Sequence, residues 1–401
     1  MFFNILININ FDFVAIKSIK NVKNLYGKKV LLRTDLNVPI KKGKILDYYK
    51  IEQQLETIKF LIDKHCRVIL LTHLSGTKPG KFDSKYSVSP IARTLSKMLG
   101  RKIVVVKEIT ELEAGRKISK AKYGDLVMLE NIRFEKGEEE NSKQLAKKLA
   151  KLADVYVNDA FAVSHRAHAS VSAIKKYLPS YVGLLLEKEV VNLNQALNPK
   201  KPLIVIIGGS KISTKISLVK NLEKKASHLL IGGALANNFL SAKGYEVGRS
   251  MVDRESLGFA KKFKSQKIIL PVDVVTSIQQ TKGKAKVKRS NSVSRIDYIF
   301  DIGPETIRLY SHYIKKAATI IWNGPMGKFE EEKFKHGTMS VARLVASRSK
   351  GWAFGVVGGG ETVEALQKTD MLEYVDWVST GGGAMLSYLG GEPMPGLKGL
   401  I

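Results

Sequence analysis

Short apolar runs that stop on glycine, asparagine, aspartate or histidine, alternating with segments of helical period, constrain this chain more than anything else in it. In the first half the runs are KKVLLRTDL, RVILLTH, KIVVV, LVMLEN and VYVNDAFA. In the second half they are LIVIIGG, HLLIGG, KIILPVDVV, ATIIWNG, WAFGVVGGG and VDWVSTGGG. Connecting stretches such as KIEQQLETIKFLIDK and NSKQLAKKLAKLA carry the apolar period of an amphipathic helix. Continuous apolar strands alternating with helices argue for parallel α/β sheets buried on both faces. Such sheets bind ligands beyond the carboxyl ends of their strands, where these polar and glycine clusters fall.

At 401 residues the chain exceeds one ordinary core, so roughly two or three domains follow. Near SYVGLLLEKEVVNLNQALNPKKP the strand-end loops change from Asp, Asn, His and Arg to Gly-Gly and Gly-Gly-Gly. That contrast predicts two α/β domains with different ligands, residues 1–183 and 184–389, joined by a helix of about fifteen residues. QQTKGKAKVKRSNSVS reads as an exposed basic loop. Lys+Arg total 66 against 37 Asp+Glu, a net charge of +29. The lysines are scattered with few interleaved aromatics, which fits solvated faces better than a nucleic-acid module and leaves a polyanionic small substrate open. One cysteine, Cys66, excludes a disulfide framework and a Cys-based zinc cluster, and its place before an apolar run reads as a buried structural thiol. MFFNILININFDF lacks the basic leader and cleavage site of a signal peptide, and no apolar run reaches the ~18 residues of a membrane span. A reducing cytoplasm is the expectation.

LIVIIGGSKISTKIS, from Leu203 to Ser217, reads as a buried strand, a tight turn and a helix start. Lys211 and Lys215 would share one helix face near its N-terminus, where the dipole and free amides favour an anion. The stretch is not a P-loop, and no GxGxxG occurs in the chain. VVGGGETV and STGGGAM each place three glycines after a strand, which lets backbone amides approach phosphate oxygens. Glu361 in the first offers a carboxylate to nucleotide-bound Mg²⁺. Glu330 in WNGPMGKFEEEKF offers a partner for a ribose hydroxyl. A lone lysine pair is more often a surface helix, and a lone glycine triplet a plain turn; their concentration in one domain favours a nucleotide cradle.

RTDLNVP puts Arg33, Asp35 and Asn37 on alternate positions of a strand, hence on one side. LTHLSG carries His73 to a strand end, ENIRFEKGEEEN carries Arg133, and NDAFAVSHRAHAS adds His165, Arg166 and His168. Each alone reads equally well as a structural hydrogen-bonding group. Together they suggest a basic pocket for a phosphorylated acid. The His165–His168 spacing lacks carboxylate or cysteine company, so a metal reading is poor.

RTDLNVP, LENIRFEKGEEEN, YVNDAFAVSHRAHAS, GGSKISTK, IGGALANNFLSAKGYEVG, LPVDVV, DIGPET, NGPMGKFE, VVGGGETV and STGGGA occur in that order. Together they closely resemble the phosphoglycerate kinase family from about Lys17 onward, with the first ~10 to 15 residues outside the resemblance. The resemblance implies two Rossmann-like domains facing a cleft, a C-terminal tail (390–401) returning to the first domain, and a cytoplasmic monomer. It implies phosphoryl transfer between 1,3-bisphosphoglycerate and MgADP, giving 3-phosphoglycerate and MgATP. Substrate residues would be Asp35, Leu36, Asn37, Lys50, His73, Lys78, Arg133 and Arg166. Lys50, Arg166, Lys211 and Lys215 would be catalytic, with Lys211 reaching the phosphoryl group in flight. Lys215, Gly232, Gly233, Asn323, Pro325, Glu330, Gly359, Gly360, Glu361 and Thr362 would hold the nucleotide, with Glu361 toward Mg²⁺.

Chemistry and resemblance agree. A carboxylate leaving group needs no proton and a phosphate oxygen is already ionised, so alignment and charge neutralisation suffice. Two half-sites on separate domains imply closure that excludes water. Several positions depart from the family pattern. Lys50 stands where the family has an arginine, HLSGTKPG replaces HLGRP with Lys78 the nearest cation, and Glu361 replaces an aspartate. GGSKISTK loses an acid at Thr214, and Ala162 replaces a glycine. Lysine keeps the charge of arginine but loses its planar fork. The expectation is an active but slower enzyme; the alternative is a basic protein that keeps the fold, has weakened catalysis and binds nucleic acid.

Overall fold

The computed structural model of the chain describes residues 15–109, 112–210, 213–280 and 283–401. The expectations for residues 1–14 and for Lys211 lie outside these described residues. The described residues form two compact units, one made of those up to 160 with 166–187 and 395–401, the other of 161–165 and 188–394.

In the first unit, β1 (Lys29–Arg33) is followed by a short hairpin, β2 (Ile40–Lys41) and β3 (Lys44–Ile45). β4 (Arg67–Leu71), β5 (Ile103–Val106), β6 (Leu126–Leu129), β7 (Val155–Asn158) and β8 (Ser180–Val182) join β1 in a parallel sheet of order β5-β6-β4-β1-β7-β8. Four helices connect them: α1 (Tyr49–Asp63), α2 (Ser89–Leu99), α3 (Glu113–Lys120) and α4 (Lys143–Ala150). Alternation along the strands explains why the runs are apolar throughout. Val30, Leu32, Val68 and Leu70 pack into one core, while Leu31, Ile69 and Leu71 pack into a second core. Both faces of the sheet are therefore buried, as parallel sheets require. Cys66 is buried at the start of β4, and burial pushes its thiol up to about 11, so it is an inert packing group.

The last residues belong to this unit. Leu397 and Leu400 are buried, Lys17 N–H donates to Leu400 O at 2.8 Å, and Asn158 Nδ2 donates to Gly396 O. Lys175 Nζ donates to the carbonyls of Pro395 and Lys398.

α5 (Leu184–Leu197) carries the chain from the first unit into the second. There β9 (Leu203–Ile207), β10 (His228–Ile231), β11 (Ile268–Ile269), β15 (Thr319–Asn323), β16 (Phe354–Gly358) and β17 (Trp377–Ser379) form a parallel sheet of order β11-β10-β9-β15-β16-β17. Between them in sequence, β12 (Asp273–Ser277), β13 (Lys286–Arg289) and β14 (Tyr298–Ile302) make an antiparallel sheet with β12 in the middle. The helices are α6 (Ile216–Lys225), α7 (Gly233–Ala242), α8 (Arg254–Lys262), α9 (Pro304–Lys316), α10 (His336–Gly351), α11 (Gly360–Gln367) and α12 (Gly382–Leu389).

Three local expectations are corrected. KIILPVDVV is two strands in different sheets, because Pro271 has no N–H to continue a ladder. QQTKGKAKVKRSNSVS is not all loop: Lys286–Arg289 pairs antiparallel with β12, its lysines protecting an edge strand. In RTDLNVP the strand ends at Arg33, so strand alternation does not extend to Asp35 and Asn37.

Candidate active site

The first unit gathers cations at the carboxyl ends of β1, β4, β6 and β7. Arg33, fully buried, donates through Nε to Ser170 Oγ (2.9 Å) and through Nη1 to Thr34 O (2.6 Å). Its Nη2 lies 3.4 Å from His73 Nδ1 and 3.9 Å from Glu138 Oε1. Glu138 also accepts from Ser170 N–H and Oγ–H and faces His168 at 3.8 Å. This buried carboxylate fixes the segment that follows Arg166.

Asp35 is buried and accepts from Lys50 Nζ at 2.7 Å and from Asn37 N–H at 3.2 Å. Burial alone would raise its pKa, but the Lys50 ammonium and its hydrogen bond more than offset that and hold it below the usual carboxylate range. Leu36 is buried, its N–H donating to Thr72 Oγ1, so its side chain packs and its backbone sets the loop. Asn37 and Ser75 exchange two hydrogen bonds. His73 is held well below its usual pKa by burial and by Arg33, and is neutral at pH 7. Arg133 approaches Glu139 at 3.3 Å and Ser75 Oγ at 3.4 Å, and its buried Nη2 lacks a hydrogen-bond partner. Burial, with the charges of Arg166 and Arg33 nearby, lowers its pKa, although a guanidinium stays protonated. Arg166 and Lys78 are exposed. A crowd of cations that depress one another is stabilised by a multiply charged anion.

Sequence reasoning missed Asn131. Its Oδ1 accepts from Leu74 and Arg133 N–H, and its Nδ2 donates to the carbonyls of Leu74 and Tyr86. It staples the loop of His73 to the turn of Arg133. The signal was available as an asparagine two residues after an apolar strand.

In the second unit, Lys215 is buried on a 3-10 turn (Ser213–Lys215), one residue before α6 begins. Lys215 therefore precedes the helix rather than lying on its face. Lys215 Nζ donates to Gly208 O. A Cβ at Gly209 would lie 2.8 Å from that ammonium and one at Gly324 2.5 Å, and both residues have positive φ (+85 and +91), so glycine alone leaves the amine its seat. Burial pushes Lys215 down to about 8, partly offset by the Glu361 carboxylate.

Beside it is a cavity of about 560 Å³ lined by Gly209, Gly233, Pro325, Glu330 and Glu361 and walled by Tyr298 and Phe300. The two rings stack at 5.7 Å and 13°. Its volume and mixed lining suit a drug-sized ligand such as a nucleotide. Asp301, also on the wall, accepts from Gly337 and Ile302 N–H, and burial pushes it up to about 8. Gly232 leads into α7, and a Cβ there would strike Met326 Sδ at 2.5 Å. Asn323 and Thr362 are buried and brace the loops: Asn323 Nδ2 donates to Gly358 O, and Thr362 Oγ1 accepts from Gly324 N–H. Gly359 has φ +103, whereas Gly360 opens α11 into free space.

The two glycine triplets differ. The 379–383 loop does not line the cavity; a Cβ at Gly382 would meet Gly359 Cα at 2.6 Å, so that triplet serves backbone packing. The aromatic wall escaped sequence reading because IDYIFDIG belongs to a strand of the small sheet that was not recognised.

The phosphoglycerate kinase family profile matches residues 19–392. Phosphoglycerate kinase of Pelotomaculum thermopropionicum is 40% identical over 398 residues, which is 97% of this chain and 100% of that one. Its counterpart in Coxiella burnetii is 42% identical over 384 residues, 94% and 96% of the two chains. The solved structure of phosphoglycerate kinase from Coxiella burnetii aligns with a TM-score of 0.84 at 41% identity, over 96% of this chain and 98% of that one. That from Pyrococcus horikoshii OT3 aligns with a TM-score of 0.84 at 33% identity and the same coverage.

Proposed function

The chain belongs to the phosphoglycerate kinase family, and on that premise we propose which of its residues move a phosphoryl group between 1,3-bisphosphoglycerate and ADP. The observation that carries the assignment is Lys215: a buried ammonium seated between two glycines, facing Glu361, at the rim of a nucleotide-sized cavity.

The first unit, including the C-terminal tail, binds the phosphoglycerate. Arg133, Arg166 and Lys50 neutralise its charges, while Asp35 and Asn37 receive its polar groups. Neutral His73 adds a ring nitrogen without adding charge to the crowd. The second unit binds ADP or ATP. Tyr298 and Phe300 cover the base and Glu330 takes the ribose. The loops at Gly232–Gly233, Asn323–Pro325 and Gly359–Thr362 carry the phosphates with Lys215. Lys211 keeps the role that the resemblance gives it, on the transferring group. Lys78 supplies long-range attraction from an exposed position.

Glu361 fits Mg²⁺ by its chemistry, since that ion is held on nucleotides by one or two carboxylates plus phosphate oxygens, and Glu361 is an exposed carboxylate on the cavity wall. When bound, the ion would neutralise charge on the nucleotide phosphates. The protein's own share is alignment and charge: its cations and amides receive the negative charge of the transferring group, and no side chain need form a bond to phosphorus or donate a proton.

We further place the protein in the cytoplasm as a monomer; among the described residues no helix is long and apolar enough to cross a membrane. No comparison supports the nucleic-acid alternative. Steady-state kinetics test the residue assignment. Lys215→Ala should lower kcat by at least ~100-fold, the scale of losing one charge-stabilising donor. Arg133→Ala should act mainly on KM for 3-phosphoglycerate. Lys215→Ala at native kcat would remove Lys215 from the mechanism.

A further inference from the structure

The cavity of the second unit lies at the carboxyl ends of its parallel strands, where Gly209, Gly233, Pro325 and Glu361 closely follow β9, β10, β15 and β16. The opposite end, where the same strands begin, has no part in that site and a different character. Trp352, two residues before β16, is 87% exposed, the most exposed large apolar side chain among the described residues. Lys200 and Lys201 precede β9, Lys224 precedes β10, and Lys315 and Lys316 end α9 just before β15; all of these lysines are exposed. Backbone hydrogen bonds set the strand starts side by side: Ser227 N–H donates to Leu203 O, Ala318 N–H to Pro202 O and Phe354 N–H to Ala318 O. Adjacent strands are about 4.8 Å apart, so the indole and the ammonium groups occupy one face.

The acids at this end do not cancel those charges. Glu223 is turned to Lys267 at 4.0 Å and accepts from Ser265 Oγ–H, while Asp376, on the β17 side with exposed Glu373, accepts from Gly355 N–H. Lysines that end a helix complement its dipole whatever they face, which accounts for Lys224, Lys315 and Lys316. It leaves Lys200, Lys201 and Trp352 without a reason, and tryptophan is a residue that folding usually covers. A surface that is anionic outside and apolar just beneath answers both features, headgroups for the lysines and the interfacial layer for the indole. We propose that this end of the second unit docks on an anionic lipid bilayer, with Trp352 entering the headgroup layer and the lysines lying over the charged lipids. Nucleic acid fits less well. A single strand needs aromatic faces in succession, and the Tyr374 ring is already covered by Lys350 Nζ at 4.0 Å.

Flotation of the full chain with vesicles tests this, using phosphatidylcholine alone or in equal parts with phosphatidylglycerol. The chain should float with the anionic vesicles at low salt, be released as salt rises, and ignore phosphatidylcholine alone. Tryptophan emission should shift to shorter wavelength on binding, and Trp352→Ser should abolish that shift and weaken binding at least about fivefold. Lys315→Glu combined with Lys316→Glu should weaken binding at least about tenfold. Lys97→Glu combined with Lys102→Glu makes the same change of net charge at exposed positions of the first unit, and should cost less than about twofold. All these variants should keep native kcat, since none of the residues lies in the proposed sites. Equal loss from the two lysine pairs would overturn the proposal, reducing the binding to the overall charge of the chain. Failure to float with anionic vesicles, or flotation indifferent to Trp352→Ser, would also overturn it. Retention of a single-stranded oligonucleotide in place of the anionic vesicles would overturn it in favour of nucleic acid.

Discussion

Lys50 sits 2.7 Å from the buried Asp35 carboxylate, where the family pattern has an arginine. One ammonium satisfies Asp35 but offers no second prong to a phosphate oxygen. Lys50→Arg should therefore raise kcat by about tenfold or more, with KM for ADP unchanged, since a charged hydrogen bond is worth about 1.5–3 kcal/mol. Unchanged or lower turnover would mean that the ion pair with Asp35 is the position's whole role. Lys215 makes a sharper prediction through pH. With its amine at about 8, kcat/KM for ADP should be level below that pH and decline above it as the ammonium is lost. A profile flat to pH 9.5 would contradict it. The stability effect has the opposite sense. The folded value lies below the ordinary 10.5, so the unfolded chain binds more protons between about 8 and 10.5, and this group's contribution to stability increases across that window. The charged site residues were legible because Arg, Lys and His at strand ends are conspicuous. Arg33 misled, since its guanidinium is spent on Ser170, Thr34 and Glu138 inside the core, and only tertiary packing reveals that.

Elements carry the site only as well as their ends are anchored. Glu189, buried on α5, accepts from Trp377 Nε1, Thr380 N–H and Thr380 Oγ–H, each at 2.7 Å. It fixes the end of β17 and the approach to α12. Glu189→Ala strands three donors, and chemical denaturation should show a loss of about 3–5 kcal/mol. A change below about 1 kcal/mol would mean that water replaces the carboxylate at little cost. The parallel strands and the α5 link were legible because burial on both faces writes continuous apolar runs. β13 and β14 were not, since a lysine-rich edge strand has the composition of a loop, and pairing with β12 decides its state. Likewise, the second glycine triplet advertised a phosphate loop in sequence, whereas its absent side chains make room for Gly359 and Ala162.

At the scale of the molecule, two units with separate cores should not unfold as one. All three tryptophans, Trp322, Trp352 and Trp377, fall in the second unit, so their fluorescence reports that unit while far-UV circular dichroism reports both. MgADP at about a hundredfold over its Kd should stabilise the fluorescence-detected transition by about 2.7 kcal/mol. It should separate that transition from the remainder of the dichroism signal. The charge of +29 is better explained by cations spread over solvated faces than by a nucleic-acid surface. On the proposed reading, the cations of the two units hold two anionic ligands while one phosphoryl group passes directly between them. Stereochemistry tests that directness. With 1,3-bisphosphoglycerate made chiral at the transferred phosphorus by oxygen isotopes, ATP formed from ADP should show inversion at that centre; retention would require a phosphorylated side chain and would contradict the account.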